Sequence, residues 1–120
     1  MAESRVIGIV GSRSRDTDDD FDICREVFDR IYEPGDTIVS GGCPRGGDRF
    51  AEVIAQESNI PIKIHPAEWS KYGPTAGLVR NNLIARDCDI LIAVVAETRT
   101  GGTEDTIRKA ENLGKEVRLV

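Results

Sequence analysis

The sequence has few of the residues that build several common kinds of site. It contains one histidine, His65, and three cysteines, at positions 24, 43 and 88, without a Cys-x-x-Cys pair. A single histidine excludes histidine-rich zinc sites and relays that need two imidazole rings. Three scattered cysteines are typical of reduced thiols in a cytosolic protein. We therefore expect no metal site, no dedicated cofactor and a cytoplasmic location.

Long apolar runs and a surplus of basic residues are also missing. No run approaches the ~20 residues that span a bilayer, and the segment around Glu3 and Arg5 does not resemble a targeting segment. The 16 basic and 21 acidic residues give a formal charge of -5. Binding to a nucleic-acid backbone needs a basic face. Membranes and nucleic acids are therefore not the expected partners, although a local basic pocket for a phosphate remains compatible with this charge.

Five short apolar runs alternate with segments of helical period. The predicted strands cover residues 5–10, 37–40, 62–65, 90–95 and 116–120, and the predicted helices lie over about 21–31, 50–59, 76–84 and 103–113. The first and fourth runs are almost continuous and β-branched, which is typical of strands buried on both faces. Right-handed crossovers then give a three-layer α/β/α sandwich with a five-stranded parallel sheet. We expect one Rossmann-like domain over residues 1–120.

Glycines and arginines follow three of these strands, at the sheet edge where such folds bind ligands. Glycine lets backbone N–H groups approach a ligand, a helix N-terminus favours an anion, and arginine suits phosphate. For one loop alone, turn chemistry is the simpler interpretation. Three loops at one edge predict an anion or nucleotide site. Its candidate residues are Gly11, Ser12 and Arg13, then Gly41, Gly42, Arg45, Gly46 and Asp48, then Arg99, Gly101, Gly102 and Thr103.

The segment after the third strand adds four more candidates, namely Trp69, Tyr72, Arg80 and Asn81. The two aromatic rings could stack on a base, and the alternative is that Trp69 caps the hydrophobic core. Arg80 either points into the pocket or pairs with Asp87 on the surface. No Walker A pattern and no complete G-x-G-x-x-G pattern occurs, which argues against a P-loop ATPase or an ordinary dinucleotide dehydrogenase.

The order of these motifs resembles the SLOG superfamily, and in particular its branch of small stand-alone proteins related to YspA and YpsA. The resemblance covers nearly the whole chain. It implies strand order 3-2-1-4-5 and a pocket for nucleotides or nucleotide-derived ligands. The residues that carry it are Gly11-Ser12-Arg13, Ser40-Gly41-Gly42, Arg45-Gly46-Gly47-Asp48-Arg49, Pro66-Ala67-Glu68-Trp69, Tyr72-Gly73, Ala76-Gly77, Arg80-Asn81 and Gly102-Thr103.

The resemblance also leaves alternatives for the function. Distant relatives in the superfamily are the Lonely Guy phosphoribohydrolases, which cleave nucleoside monophosphates, and the DNA-processing protein DprA. The enzymes carry a glutamate three residues after a Gly-Thr pair, but here that position is Thr106. Phosphate binding therefore carries over better than hydrolysis. We expect a nucleotide-binding or sensor protein that forms a homodimer. The enzyme alternative would use Arg80 and Glu104 as catalytic residues, and the other alternative is binding of single-stranded DNA.

Overall fold

The computed structural model describes residues 4–120, so Glu3 and the two residues before it lie outside the described part. Five parallel strands form one sheet in the order β3-β2-β1-β4-β5. The expected Rossmann-like fold and the strand order that the resemblance implied are confirmed. The strands are β1 (Val6–Gly11), β2 (Thr37–Ser40), β3 (Ile62–Ile64), β4 (Ile90–Val94) and β5 (Glu116–Leu119).

Helices cover both faces of the sheet, and four of them match the predicted helical segments. They are α1 (Asp18–Ile31), α2 (Gly47–Ser58), α4 (Ala76–Asp87) and α5 (Gly102–Asn112). The sequence analysis missed a short helix, α3 (Trp69–Tyr72), and the 3-10 turn Gly73–Thr75 that follows it. A four-residue helix is too short to show a helical period, which explains why the pattern indicated a loop.

Local signals explain where the helices begin and end. Thr17 caps α1, because its hydroxyl accepts from the Asp20 N–H at 3.1 Å while Asp20 accepts from the Thr17 N–H at 3.3 Å. This reciprocal arrangement is a capping box, and the acidic first turn also complements the helix dipole. Helix α2 ends at Asn59, which adopts the left-handed conformation that asparagine tolerates.

Two hydrophobic clusters fix the helices against the sheet. One includes Phe28 of α1 and Phe50 of α2, packed with Ile7, Ile9 and Ile92. The other packs Ile84 of α4 and Ile107 of α5 against Leu91 and its neighbours. The neighbouring strands β1 and β4 are therefore buried on both faces of the sheet, as their apolar composition predicts. No helix in residues 4–120 is long and apolar enough to cross a membrane.

The sheet reverses its strand order between β1 and β4. Gly11, the last residue of β1, pairs with Val94, the last residue of β4. The chain leaves β1 for one side of the sheet and β4 for the other, because β2 lies beside β1 and β5 beside β4. Loops that diverge in this way leave a crevice beyond the strand ends.

Candidate anion-binding site

A cavity of about 320 Å³ occupies this crevice. Its wall comes from the loop after β1, the loop after β2, the middle of α4 and the start of α5. The lining residues are Val10, Gly11, Ser12, Arg13, Cys43, Asp48, Arg80, Asn81, Ile84, Thr100, Gly101, Gly102, Thr103 and Thr106. Segments that are far apart in the chain therefore meet around one small space.

The loop after β1 is held in place by the neighbouring strand. The Ser12 N–H donates to the Val94 carbonyl at 2.9 Å, which continues the β1–β4 ladder by one residue. The next residue, Arg13, is exposed to solvent and lines the cavity. Within residues 4–120, Arg13 forms no ion pair with a carboxylate. Its guanidinium is thus available to an anion that enters the cavity.

The loop after β2 contributes Cys43 to the wall and the first turn of α2 contributes Asp48, whereas Gly41, Gly42 and Gly46 lie outside it. The Gly46 N–H donates to the Asp16 carboxylate at 2.7 Å, so this amide is already occupied. That contact corrects the expectation that Gly46 offers its N–H to a ligand. The same N–H, followed by the Arg49 guanidinium, lowers the pKa of Asp16.

Gly46 and Gly47, at the start of α2, allow close packing between backbone segments. A Cβ on Gly46 would stand 2.3 Å from the Ser12 carbonyl oxygen, and one on Gly47 would stand 2.2 Å from the Val10 carbonyl carbon. Any side chain at these positions would collide with main-chain atoms that cannot rotate away. Helix α2 therefore approaches the end of β1 as closely as it does only because both residues are glycine.

Arg80 projects from α4 into the cavity wall. Its Nη1 donates to the Gly41 carbonyl at 3.1 Å, and its Nε donates to the Asn81 side-chain oxygen at 3.0 Å. Asp87, the alternative partner considered from the sequence, instead contacts Arg86 at 2.9 Å and His65 at 2.7 Å. No carboxylate in the described part of the chain forms an ion pair with Arg80, although Asp48 lies near enough for the two charges to interact.

Asn81 joins α4 to the start of α5. Its Nδ2 donates to the Asp105 carboxylate at 3.1 Å and to the Gly102 carbonyl at 3.3 Å, and it is buried. Gly101, Gly102 and Thr103 are thereby held at the cavity, and no side chain of residues 4–120 caps α5. The first N–H groups of a helix have no partner within the helix, and they carry partial positive charge. This end of α5 can therefore receive an anion.

Comparison with known proteins places the chain in a family. No protein-family model matches the sequence, and no solved structure matches it at a significant level. The Gene 61 protein of Mycobacterium phage D29 is 33% identical over 86 residues, an alignment that covers 67% of this chain and 67% of that protein. This chain belongs to the family of the Gene 61 protein. The SLOG resemblance stays a prediction beside this finding.

In this member of the Gene 61 family, five other predicted residues lie outside the cavity wall, namely Arg45, Trp69, Tyr72, Arg99 and Glu104. Trp69 is 60% exposed and belongs to neither hydrophobic cluster, so the alternative that it caps the core is wrong. Tyr72 is 37% exposed, and Arg45 is exposed as well. Both carboxylate oxygens of Glu104 accept from Arg99, at 2.8 and 2.9 Å, and this ion pair holds the glutamate away from the wall.

The Gene 61 family member also lines its cavity with residues that the sequence analysis did not propose as site residues. They are Val10, Cys43, Ile84, Thr100 and Thr106. Cys43 and Thr100 lie within predicted loops, so their position in the chain was a usable signal. Thr106 lies one helical turn after Gly102, and its hydroxyl donates to the Gly102 carbonyl at 3.3 Å. Val10 and Ile84 are apolar, and a sequence does not distinguish such wall residues from core.

Proposed function

We propose that this protein binds a nucleotide or a nucleotide-derived phosphorylated ligand, as a binding protein or sensor. The observation that carries the proposal is the convergence of Arg13, Arg80 and the uncapped start of α5 on one cavity. Neither guanidinium has a carboxylate partner within the described residues. A phosphate at this point would receive charge-assisted hydrogen bonds and the favourable end of the helix dipole.

The size of the cavity supports a small ligand. Sites for small molecules and cofactors span about 300–1,000 Å³, and this cavity of about 320 Å³ lies at the lower end. A mononucleotide therefore suits it better than a complete dinucleotide. The Trp69 ring and the Arg80 guanidinium both reach within about 4 Å of the point where a Gly77 Cβ would stand. A phosphate on Arg80 would thus leave a base within reach of this aromatic side chain.

A thermal-shift panel tests the proposal. The protein would be melted with mononucleotides, cyclic nucleotides, ADP-ribose, NAD and inorganic phosphate. Gly102→Val serves as the matched control, because a Cβ at Gly102 meets nothing closer than the Asn81 side chain at 4.0 Å. We expect a mononucleotide to raise Tm in the wild type and not in the variant. An equal rise in both proteins, or no rise with any compound, would contradict the proposed site.

The enzyme alternative receives less support from the site. A phosphoribohydrolase needs a carboxylate near the sugar, and Glu104 is bound to Arg99 outside the wall. Incubation with AMP decides the question, since release of free adenine would show turnover. The DNA-binding alternative is weakened by the formal charge of -5. A gel shift with single-stranded DNA at moderate salt tests it directly.

Two further parts of the proposal concern the state of the protein in the cell. We expect a homodimer, because exposed Leu78 and Trp69 offer apolar surface near α4, and light scattering after size exclusion would measure the mass. We expect a cytoplasmic location, since Cys24, Cys43 and Cys88 are free thiols. Cell fractionation would test that expectation.

A further inference from the structure

The hydroxyl of Ser40 lies between two oxygen atoms and can donate its single proton to only one of them at a time. Its Oγ is 2.6 Å from the Ile9 carbonyl oxygen and 2.9 Å from Oδ1 of Asp48. A serine hydroxyl has one proton, and a carbonyl has none to give. Ser40 is completely buried, so water does not supply another partner at its surface. If Asp48 were ionised, one of these two short contacts would join two oxygen atoms without a proton between them.

The surroundings of Asp48 are consistent with a proton on Oδ1. Asp48 is 6% exposed, and its other oxygen, Oδ2, accepts from the Cys43 N–H at 3.1 Å. The positive charge of Arg80 acts on Asp48, and the Cys43 thiol lies in the loop that precedes α2. Arg80 Nη1 and Asp48 Oδ2 lie 2.7 and 2.8 Å from the point where a Gly41 Cβ would stand, yet Arg80 donates to the Gly41 carbonyl and forms no ion pair with Asp48.

We propose that Asp48 is held as a neutral acid that donates its proton to Ser40, and that this proton keeps the cavity free of negative charge for a phosphate ligand. The ligand part rests on the proposed function, whereas the proton on Asp48 does not. Burial raises the pKa of Asp48, and this effect outweighs the Cys43 N–H, the Ser40 hydroxyl, the positive charge of Arg80 and the Gly41 N–H, which all lower it. Asp48 is the one carboxyl group among the lining residues within the described part, so its ionisation would place an anion beside the phosphate.

The variant Asp48→Asn copies the shape and hydrogen bonds of the protonated acid. Its amide N–H would donate to Ser40 Oγ, and its oxygen would accept from the Cys43 N–H. An aspartate with a raised pKa loses folding stability as pH rises from its ordinary value through its folded value. The Tm of Asp48→Asn should therefore match that of the wild type near pH 4 and exceed it increasingly as pH rises above the ordinary aspartate pKa. A variant that is less stable at every pH would overturn the proposal.

Two further measurements do not depend on the stability of that variant. Infrared spectra of the wild type near pH 6 should contain the carbonyl band of a protonated carboxylic acid, at a pH where ordinary aspartates are ionised. Absence of that band would overturn the proposal. Asp48→Ala removes the hydrogen bonds as well as the charge, so it should melt below both other proteins. If it melted with Asp48→Asn instead, the hydrogen-bond argument would be wrong.

The ligand part is tested with AMP and inorganic phosphate by calorimetry between about pH 5 and pH 8. The ratio of the wild-type Kd to the Asp48→Asn Kd should rise about tenfold or more as Asp48 ionises. The phosphate group of the ligand titrates identically in both experiments, so its effect on Kd cancels in this ratio. A constant ratio would refute the coupling. Failure of both proteins to bind at any pH would refute the proposed function, while the infrared measurement would still report the proton.

Discussion

Two glycines that each begin a helix should differ in their response to substitution by alanine: one substitution should destabilise the fold, and the other should leave its stability unchanged. Gly47 is the first residue of α2, and Gly102 is the first residue of α5. A Cβ at Gly47 would stand 2.2 Å from the Val10 carbonyl carbon and 2.4 Å from the Gly11 nitrogen. A Cβ at Gly102 would meet only the Asn81 Nδ2 atom, at 4.0 Å. Gly47→Ala therefore forces main-chain atoms apart, and Gly102→Ala does not.

The size of the effect follows from these distances. Non-bonded carbon atoms prefer a separation of about 3.5–4 Å, so α2 and β1 must separate by about 1 Å or more to accept the methyl group. Forcing extra atoms into a packed site costs about 1–3 kcal/mol. We expect the upper end of that range, because both sides of the contact are backbone, where the start of α2 meets the end of the central strand β1. At about 4 °C per kcal/mol for a chain of this size, Tm should fall by about 12 °C.

Thermal melts followed by circular dichroism, with urea titrations beside them, measure this prediction. Gly102→Ala is the matched control and should stay within about 0.5 kcal/mol of the wild type, as is usual for exposed positions. A Gly47→Ala protein that melts with the wild type would show that α2 does not approach β1 so closely. A Gly102→Ala protein that is as unstable as Gly47→Ala would show that α5 is not open toward the cavity.

Three other substitutions test separate parts of the structure. Arg13→Ala removes an unpaired guanidinium, so calorimetry with a bound nucleotide should show a loss of about 1.5–3 kcal/mol in binding and no change in Tm; unchanged affinity would remove Arg13 from the site. Thr17→Ala deletes the capping box of α1, and urea unfolding should report a loss of about 0.5–2 kcal/mol. Asp36→Asn tests pH dependence: burial raises the pKa of Asp36, but hydrogen bonds from Arg5 and the Glu33 N–H outweigh it and lower the pKa. The wild type should therefore be more stable than this variant at neutral pH, and the difference should vanish as pH falls below the ordinary value of 3.8; a difference independent of pH would contradict the ion pair.

The course of the chain through the fold could be predicted from the sequence because its signals are local and strong. Continuous β-branched runs indicate strands buried on both faces, as in Val6–Gly11 and Ile90–Val94. The helical segments are bounded by Pro, Gly and Asn at their ends. The order of the strands was predicted from the resemblance to known proteins, because no local sequence pattern indicates which strands are neighbours in the sheet.

The candidate site was predictable only in part, since a glycine has more than one use. Gly102 faces the cavity, whereas Gly46 and Gly47 allow two backbone segments to touch. The sequence alone does not distinguish these two roles of glycine. The use of Asp16 was hidden for a similar reason. It lies in an acidic stretch that suggests a helix start, but it binds the Gly46 N–H and the Arg49 guanidinium. Long-range contacts of this kind have no local pattern.

The ion pair between Glu104 and Arg99 could not be predicted from the sequence either. The sequence offers Glu104 as a carboxylate near a glycine loop, and Arg99 as a cation for the ligand. In the structure they neutralise each other through two hydrogen bonds. Among the residues that line the cavity, Arg13 and Arg80 are the cations, and neither forms an ion pair within residues 4–120. Which arginines pair with a carboxylate can be read only from distances in the folded chain.

The central claim is that a small phosphorylated ligand binds where the start of α5 meets Arg13 and Arg80. The most direct measurement is a nuclear magnetic resonance titration of ¹⁵N-labelled protein with AMP, followed residue by residue. We predict that the amide signals of Gly101, Gly102 and Thr103 shift first and furthest, together with the side-chain signal of Arg80. Shifts confined to other parts of the molecule, or no shifts at saturating AMP and inorganic phosphate, would contradict the account.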